Sequence, residues 1–225
     1  MDTREFKSSL YKQLATVTKA LSNPQRLEIL DLLAQGSFSV EYIAEHANMP
    51  VANASQHLQV LKKSGLVDTA RDGKYIYYQL YDGQVLDTWR SLRQLGFSRN
   101  DKISELLQDY RKRKDQLHLI SSDELMQKLE NNEVYLIDVR PVEEFNSGHI
   151  KQADSLPYRQ IRERIEDLPK DREIVAYCRG PLCLMADEAV SLMKKEGLNA
   201  YRLENGFADW LAEKRPVKMK DNTIN

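Results

Sequence analysis

Apolar residues return every three or four positions along the first third of the chain, and the period then shortens to two. Phe6, Leu10, Leu14, Val17 and Leu21 form one stripe, which predicts a first helix. Asn23 before Pro24 reads as an N-cap followed by the first helical position, so a second helix carries Leu27, Ile29, Leu30, Leu32 and Leu33 up to Gly36. Ser39 is placed to cap the short helix VEYIAEHA. After a break at Asn48-Met49-Pro50, a longer helix spans Val51 to Ser64 and Gly65 ends it. On it Ala54, Leu58 and Leu61 share one face, while Asn53, Gln56 and Lys63 point elsewhere. Residues 66–80, LVDTARDGKYIYYQL, alternate as a strand pair does, with Asp72-Gly73 predicted as its two-residue turn. DGQVLDTWRSLRQLGFSRN then closes this half as a last helix.

The back half has a different rhythm. Ser121 and Glu124 have the spacing of a capping box and start the helix DELMQKLEN. Val134–Val139 and Glu173–Tyr177 are continuous apolar runs of buried-strand type, Leu184–Glu196 is helical, and Ala200–Leu203 is a short strand. Strands alternating with helices predict a parallel α/β sheet of about 100 residues. Between the halves, Ser98 to His118 is dense in charge and reads as a connecting helix. Its run Arg111-Lys112-Arg113-Lys114 is a candidate for DNA contact, although charge runs usually face water. The expected organisation is therefore residues 1–97, a linker helix 98–117, a second domain 118–218 and a tail 219–225.

Composition narrows the chemistry. No stretch approaches the ~20 apolar residues of a membrane span, and the opening MDTREFKSSLYKQL has no apolar core of a signal peptide. The two cysteines of the 225-residue chain, Cys178 and Cys183, stand five apart. Without an export signal a reducing cytoplasm is expected, where such a pair serves catalysis, redox chemistry or metal binding more readily than stapling. Formal charge is +1 over residues 1–97, +2 over 98–118 and −4 over 119–225. That asymmetry agrees with DNA contact in the front part alone.

Two short helices joined by a tight break, the second with a polar outer face, are what a helix-turn-helix requires, and a β-hairpin after it would be the wing. Residues 20–81 resemble the ArsR-type winged helix-turn-helix repressors on ALSNPQRLEILDLLAQG, VANASQHLQVLKKSGLV and DGKYIYYQLY. The resemblance implies a recognition helix over Val51–Ser64 and a double-stranded DNA operator as partner. Asn53 and Gln56 would read bases, since their amides pair bidentately with adenine. Ser55 and His57 would bond phosphate or bases, Lys63 belongs to the same face, and Arg71, Lys74 and Tyr75 would serve the wing. It also implies a homodimer through the first and last helices, for which the first-helix stripe and Val85, Trp89 and Leu92 are suited. Many members sense metals through cysteines on the third helix or His and Asp on the last. Residues 1–177 contain no cysteine and the last helix no histidine, so no metal site is expected.

Cys178 leaves the carboxyl end of a predicted strand, and Arg179 to Cys183 feed a helix N-terminus. Backbone N–H groups and the helix dipole at such a turn lower a thiol's pKa and favour anionic sulfur. Over residues 118–218 the motifs resemble the rhodanese domain. These are Asp138-Val139-Arg140-Pro141 with Glu143-Glu144-Phe145 and Gly148-His149-Ile150, then Tyr177-Cys178-Arg179-Gly180, then Asn205-Gly206-Phe207 with Trp210. The resemblance implies that Cys178 takes sulfane sulfur from a small donor, holds it as a persulfide within the loop of Arg179, Gly180 and Leu182, and passes it to a thiol acceptor. No cofactor is implied. Asp138, Arg140 and His149 would be architectural. Where thiosulfate-using members commonly carry a cation, this chain has Cys183, which could instead attack Cys178 as a resolving thiol.

Rival chemistries fit less well. A cysteine phosphatase needs arginine six residues after the nucleophile, where Leu184 stands. Nothing in the loop apart from Arg179 selects arsenate, and a zinc site would need two more ligands. The expected function is a DNA-binding regulator whose rhodanese domain senses or processes sulfane sulfur. The alternative is a sulfurtransferase, or less plainly an arsenate reductase, with an accessory DNA-binding domain.

Overall fold

The computed structural model describes residues 2–112 and 117–220. These divide into two compact units, Met1–Trp89 and Arg90–Asn225. The boundary lies inside the last helix of the front half, ahead of the expected seam at residue 98.

In the first unit, α1 (Thr3–Leu21) buries only Ala20, and Phe6, Leu10 and Leu14 of its apolar stripe stand exposed. In α2 (Pro24–Leu33) Asn23 Oδ1 accepts from the Arg26 N–H at 3.1 Å, as its cap position predicts. The helix ends at Leu33, short of Gly36, and buries Ile29, Leu30, Leu32 and Leu33. β1 (Phe38–Ser39) precedes α3 (Val40–His46), which Ser39 caps through the Tyr42 N–H. α4 (Val51–Lys63) turns Ala54, Leu58 and Leu61 wholly inward. β2 (Val67–Asp72) and β3 (Tyr75–Leu80) form the hairpin, and β1 adds to β3 in an antiparallel sheet ordered β1-β3-β2. Asp72 pairs with Tyr75, so the two turn residues are Gly73-Lys74 rather than Asp72-Gly73. Gly73 has φ +57°, the left-handed value that a type II′ turn needs at its first central position. α5 (Gly83–Arg99) starts with Asp82 accepting from the Val85 N–H. Val85 and Trp89, expected on a dimer face, are buried within this unit instead. Val85 joins its core and Trp89 Nε1 donates to Asp31 at 3.1 Å.

The second unit takes in the rest of α5 and α6 (Asp101–Lys112). It continues through β4 (Leu119–Ile120), α7 (Ser122–Glu130), β5 (Val134–Asp138), α8 (Val142–Ser147), β6 (Gly148–Ile150), β7 (Asp154–Ser155) and α9 (Tyr158–Arg164). β8 (Glu173–Tyr177), α10 (Met185–Lys195), β9 (Ala200–Leu203), α11 (Phe207–Ala212) and β10 (Val217–Met219) complete it. Five strands pair in parallel in the order β4-β9-β8-β5-β7, and β10 pairs antiparallel with β6. Successive residues of the central strands enter opposite cores. Ile137, Ile174 and Ala176 pack with Val190 and Met193, whereas Leu136, Val175 and Tyr177 pack with Leu125, Phe207 and Trp210. Burial on both faces explains why these strands read as unbroken apolar runs. Each large side chain so buried contributes about 1.5–3 kcal/mol. The short elements α8, β6, β7, α9, α11 and β10 are too brief for periodicity to reveal.

Candidate functional site

β8 lies inside the parallel sheet, and Cys178 is the first residue beyond its carboxyl end. Cys178 and Cys183 are joined in a disulfide across a loop whose ends are 6.3 Å apart at Cα. Both are buried, at 2% and 9% exposure, and pack with Ile137, Val139 and Ala186, whereas Leu182 stands out at 41%. The loop's carbonyls are tied to outside donors. Phe207 N–H bonds Cys178 O at 3.0 Å, Arg202 Nη2 bonds Gly180 O at 3.2 Å, and Arg111 Nη2 bonds Pro181 O at 3.2 Å. The Cys183 amide donates to Gly180 O at 3.0 Å, so that amide serves the turn and is not offered to sulfur. Beyond the loop, the N-cap of α10 is Leu184, whose side chain carries no oxygen, so the amides of its first turn have no side-chain cap. The positive end of that helix thus abuts the cysteine loop.

Gly206 is the other wall. A Cβ there would lie 2.3 Å from Arg179 C and Gly180 N, so only glycine lets the two backbones approach this closely. The Arg179 guanidinium grips the buried Glu144 through Nε at 3.0–3.1 Å. Asp138, at the end of β5, accepts the Arg140 amide and Nε at 3.0 Å, and Arg140 Nη2 reaches Gly148 O at 2.7 Å. Burial opposes the Arg140 charge, but Asp138 beside it more than compensates, and the group stays firmly protonated. Tyr177 accepts from the Ile150 N–H, and burial, then Asp138, pushes its phenol well above the usual tyrosine range. His149 Nδ1–H donates to Phe145 O at 2.9 Å and the two rings stack at 3.8 Å. The imidazole of His149 is thus held by Phe145, four residues earlier in its own segment.

Two ion-pair clusters around the loop have no counterpart in any sequence spacing. Asp187 of α10, wholly buried, receives Arg202 Nε at 3.1 Å and Arg111 Nε at 3.0 Å. Burial depresses the Arg202 pKa, and Asp187 works against that shift. Arg111 is thus engaged by Asp187 and the cysteine loop, Lys112 is exposed, and Arg113 and Lys114 lie outside the described residues. Asp209 of α11 accepts from Arg90 Nε at 2.9 Å and also from Arg93. These partners stand 15 to 119 positions apart in the sequence, where no periodic pattern can relate them.

On the first unit, the polar face of α4 presents Asn53, Gln56 and Lys63 to solvent, while Ser55 and His57 are half-buried. Arg71, Lys74 and Tyr75 are exposed around the hairpin tip, with Lys74 Nζ 5.3 Å from the Tyr75 ring centre. Lys62 bonds Thr69, linking α4 to the wing. Helix face and wing tip thus carry donors and cations with few internal partners. Among the described residues no helix is long and apolar enough to cross a membrane.

Comparison with known proteins assigns both halves. Residues 23–69 match the bacterial regulatory protein arsR family, and residues 121–213 match the rhodanese-like domain. An HTH-type transcriptional regulator of Mycobacterium tuberculosis is 38% identical over 211 residues, covering 94% of this chain and 92% of that protein. The homodimeric winged helix-turn-helix DNA-binding domain of a possible ArsR-family regulator from Mycobacterium bovis is 39% identical. It covers 44% of this chain and 91% of that one, with a TM-score of 0.41. A rhodanese-related protein from Thermoplasma volcanium is 25% identical, covering 45% of this chain and 97% of that one, with a TM-score of 0.41. With a relative this similar along nearly the whole length, and both family matches falling where the two units lie, the chain belongs to the ArsR-type helix-turn-helix transcriptional regulators and carries a C-terminal rhodanese domain.

Proposed function

We propose that this regulator binds a two-fold DNA operator as a homodimer and that sulfane sulfur, taken up on Cys178, changes that binding. The observation that carries the reading is the Cys178–Cys183 disulfide, which puts two sulfurs within bonding distance in a loop at the carboxyl end of a parallel sheet. Asn53 and Gln56 read bases and Lys63, Arg71 and Lys74 meet phosphates, their exposure leaving them available. The dimer forms on α1, whose Phe6, Leu10, Tyr11 and Leu14 are 51–63% exposed.

The chemistry balances without an outside oxidant. The Cys178 thiolate attacks the outer sulfur of a donor persulfide, forming its own S–S bond while the donor thiolate leaves. A thiol acceptor can take that outer sulfur and restore the Cys178 thiolate. Alternatively, the Cys183 thiolate attacks Cys178 Sγ, closing the disulfide and expelling the outer sulfur as hydrosulfide. The sulfane sulfur is then the species reduced, and an external thiol reopens the pair.

Titrating the full chain onto its operator with and without a polysulfide donor tests this reading, with mass spectrometry following sulfur on the same sample. The expected result is a donor-dependent change in operator affinity that Cys178→Ser abolishes while sulfur-free binding is retained. Binding that ignores every sulfur donor, in a protein that still turns donor over, would favour a sulfurtransferase with an accessory DNA-binding domain.

A further inference from the structure

Arg93 belongs to the second unit and has an unusual environment. Its side chain is 8% exposed and Nη2 pairs with Asp209 Oδ1, an oxygen that Arg90 Nε also occupies. Arg93 Nη1 is buried and has no hydrogen-bond partner among the described residues, and neither does Asp209 Oδ2. Both point at the cysteine loop. A methyl group placed on Gly180 would lie 3.3 Å from Arg93 Nη1 and 3.7 Å from Asp209 Oδ2. A buried charged donor without an acceptor is costly, and such atoms call for an explanation.

The other charged groups around the loop are matched. Arg179 is paired with Glu144, and Arg202 and Arg111 share Asp187. Arg90 divides between Asp209 and Glu213. The spare donor is therefore Arg93's. In the disulfide both sulfurs are neutral, and nothing in the loop can accept its Nη1–H as an anion would.

We infer that Arg93 supplies the counter-charge for anionic sulfur in this loop. Once the disulfide opens, Arg93 Nη1–H donates to the thiolate of Cys178 and then to its persulfide anion. It stands in for the cation missing from the position of Cys183. The charge comes from a residue outside the span 121–213 that matches the rhodanese-like domain. The inference deepens the reading of Cys178 as the sulfur carrier and rests on it.

The test uses the full chain, reduced, with Cys183→Ser so that Cys178 alone reacts. The rate of iodoacetamide alkylation is followed from pH 5 to 10. Arg93→Gln is expected to raise the midpoint of the rate profile by about one pH unit, which means roughly tenfold slower alkylation below the midpoint. Arg93→Lys should recover most of that loss. Asp209→Asn keeps Arg93 and removes its competing carboxylate, so it should move the midpoint the other way, and it serves if Arg93→Gln does not fold. An unmoved midpoint in a folded variant, or a change equal at every pH, would overturn the inference. Persulfide loading of the Cys183→Ser parent, read by mass, is a separate measurement. Its failure would remove the sulfur-carrier reading, whereas normal loading with an unmoved midpoint would remove only Arg93's part.

Discussion

The two units place their chemistry in opposite surroundings. In the first, apolar side chains from every element, most of them on α2 and α4, make the core, while Asn53, Gln56, Lys63, Arg71 and Lys74 stand outside it. In the second, the cysteines, Asp138, Arg140, Asp187, Arg202 and Asp209 are all buried, and the loop's shape depends on their pairings. An exposed polar surface can therefore change without endangering the fold beneath it. A buried ionic cradle cannot, because removing one partner leaves the other charged and dry.

The sharpest way to break this contrast is Arg140→Ala. It strands the buried Asp138 and should cost about 3–5 kcal/mol. Denaturant melts should show the second unit unfolding early while the winged-helix unit keeps its own transition. Gly206→Ala comes next, since the added methyl meets the backbone of Arg179 and Gly180. A loss of about 1–3 kcal/mol is expected, together with slower closing of the disulfide, followed by thiol titration. On the exposed face, Asn53→Ala or Gln56→Ala should weaken operator binding by about 1–3 kcal/mol yet leave stability within about 0.5 kcal/mol. A fall in melting temperature as large as that of Gly206→Ala would show that the exposed face also supports the fold.

Alkaline pH gives a smaller effect confined to the second unit. The folded state holds the Tyr177 proton more tightly than the unfolded chain does. That contribution is present below about pH 10 and is lost above it, at up to about 1.4 kcal/mol per pH unit. Urea midpoints between pH 9 and 11 measure it, and Tyr177→Phe should flatten the decline. Lys74→Ala should have the least effect. Affinity falls about equally for all DNA sequences and the salt slope drops by about one, without any change in the alkylation of Cys178.

Much was legible before folding was considered. The caps at Asn23, Ser39 and Ser121 and the central strands β5 and β8 follow from spacing and composition within a few residues. The cysteines' position after β8 was equally plain. The hairpin register was missed by one residue because Gly73 satisfies either turn placement, and strand pairing had to choose. An apolar stripe does not say what covers it, and Val85 and Trp89, expected on a dimer face, are covered by their own unit. The stripe of α1 looks the same in the sequence, yet its Phe6, Leu10 and Leu14 stand exposed while Val17 and Leu21 pack against the core.

By itself, then, the sequence determined the elements, the two family motifs and the place of a cysteine pair at a strand's end, since helices, caps and turns are settled by neighbours along the chain. Tertiary structure alone decided that Arg93, Arg111, Asp187, Arg202 and Asp209 surround that pair. Each bond there joins segments distant in sequence, and a charge has no partner until folding removes the water between them.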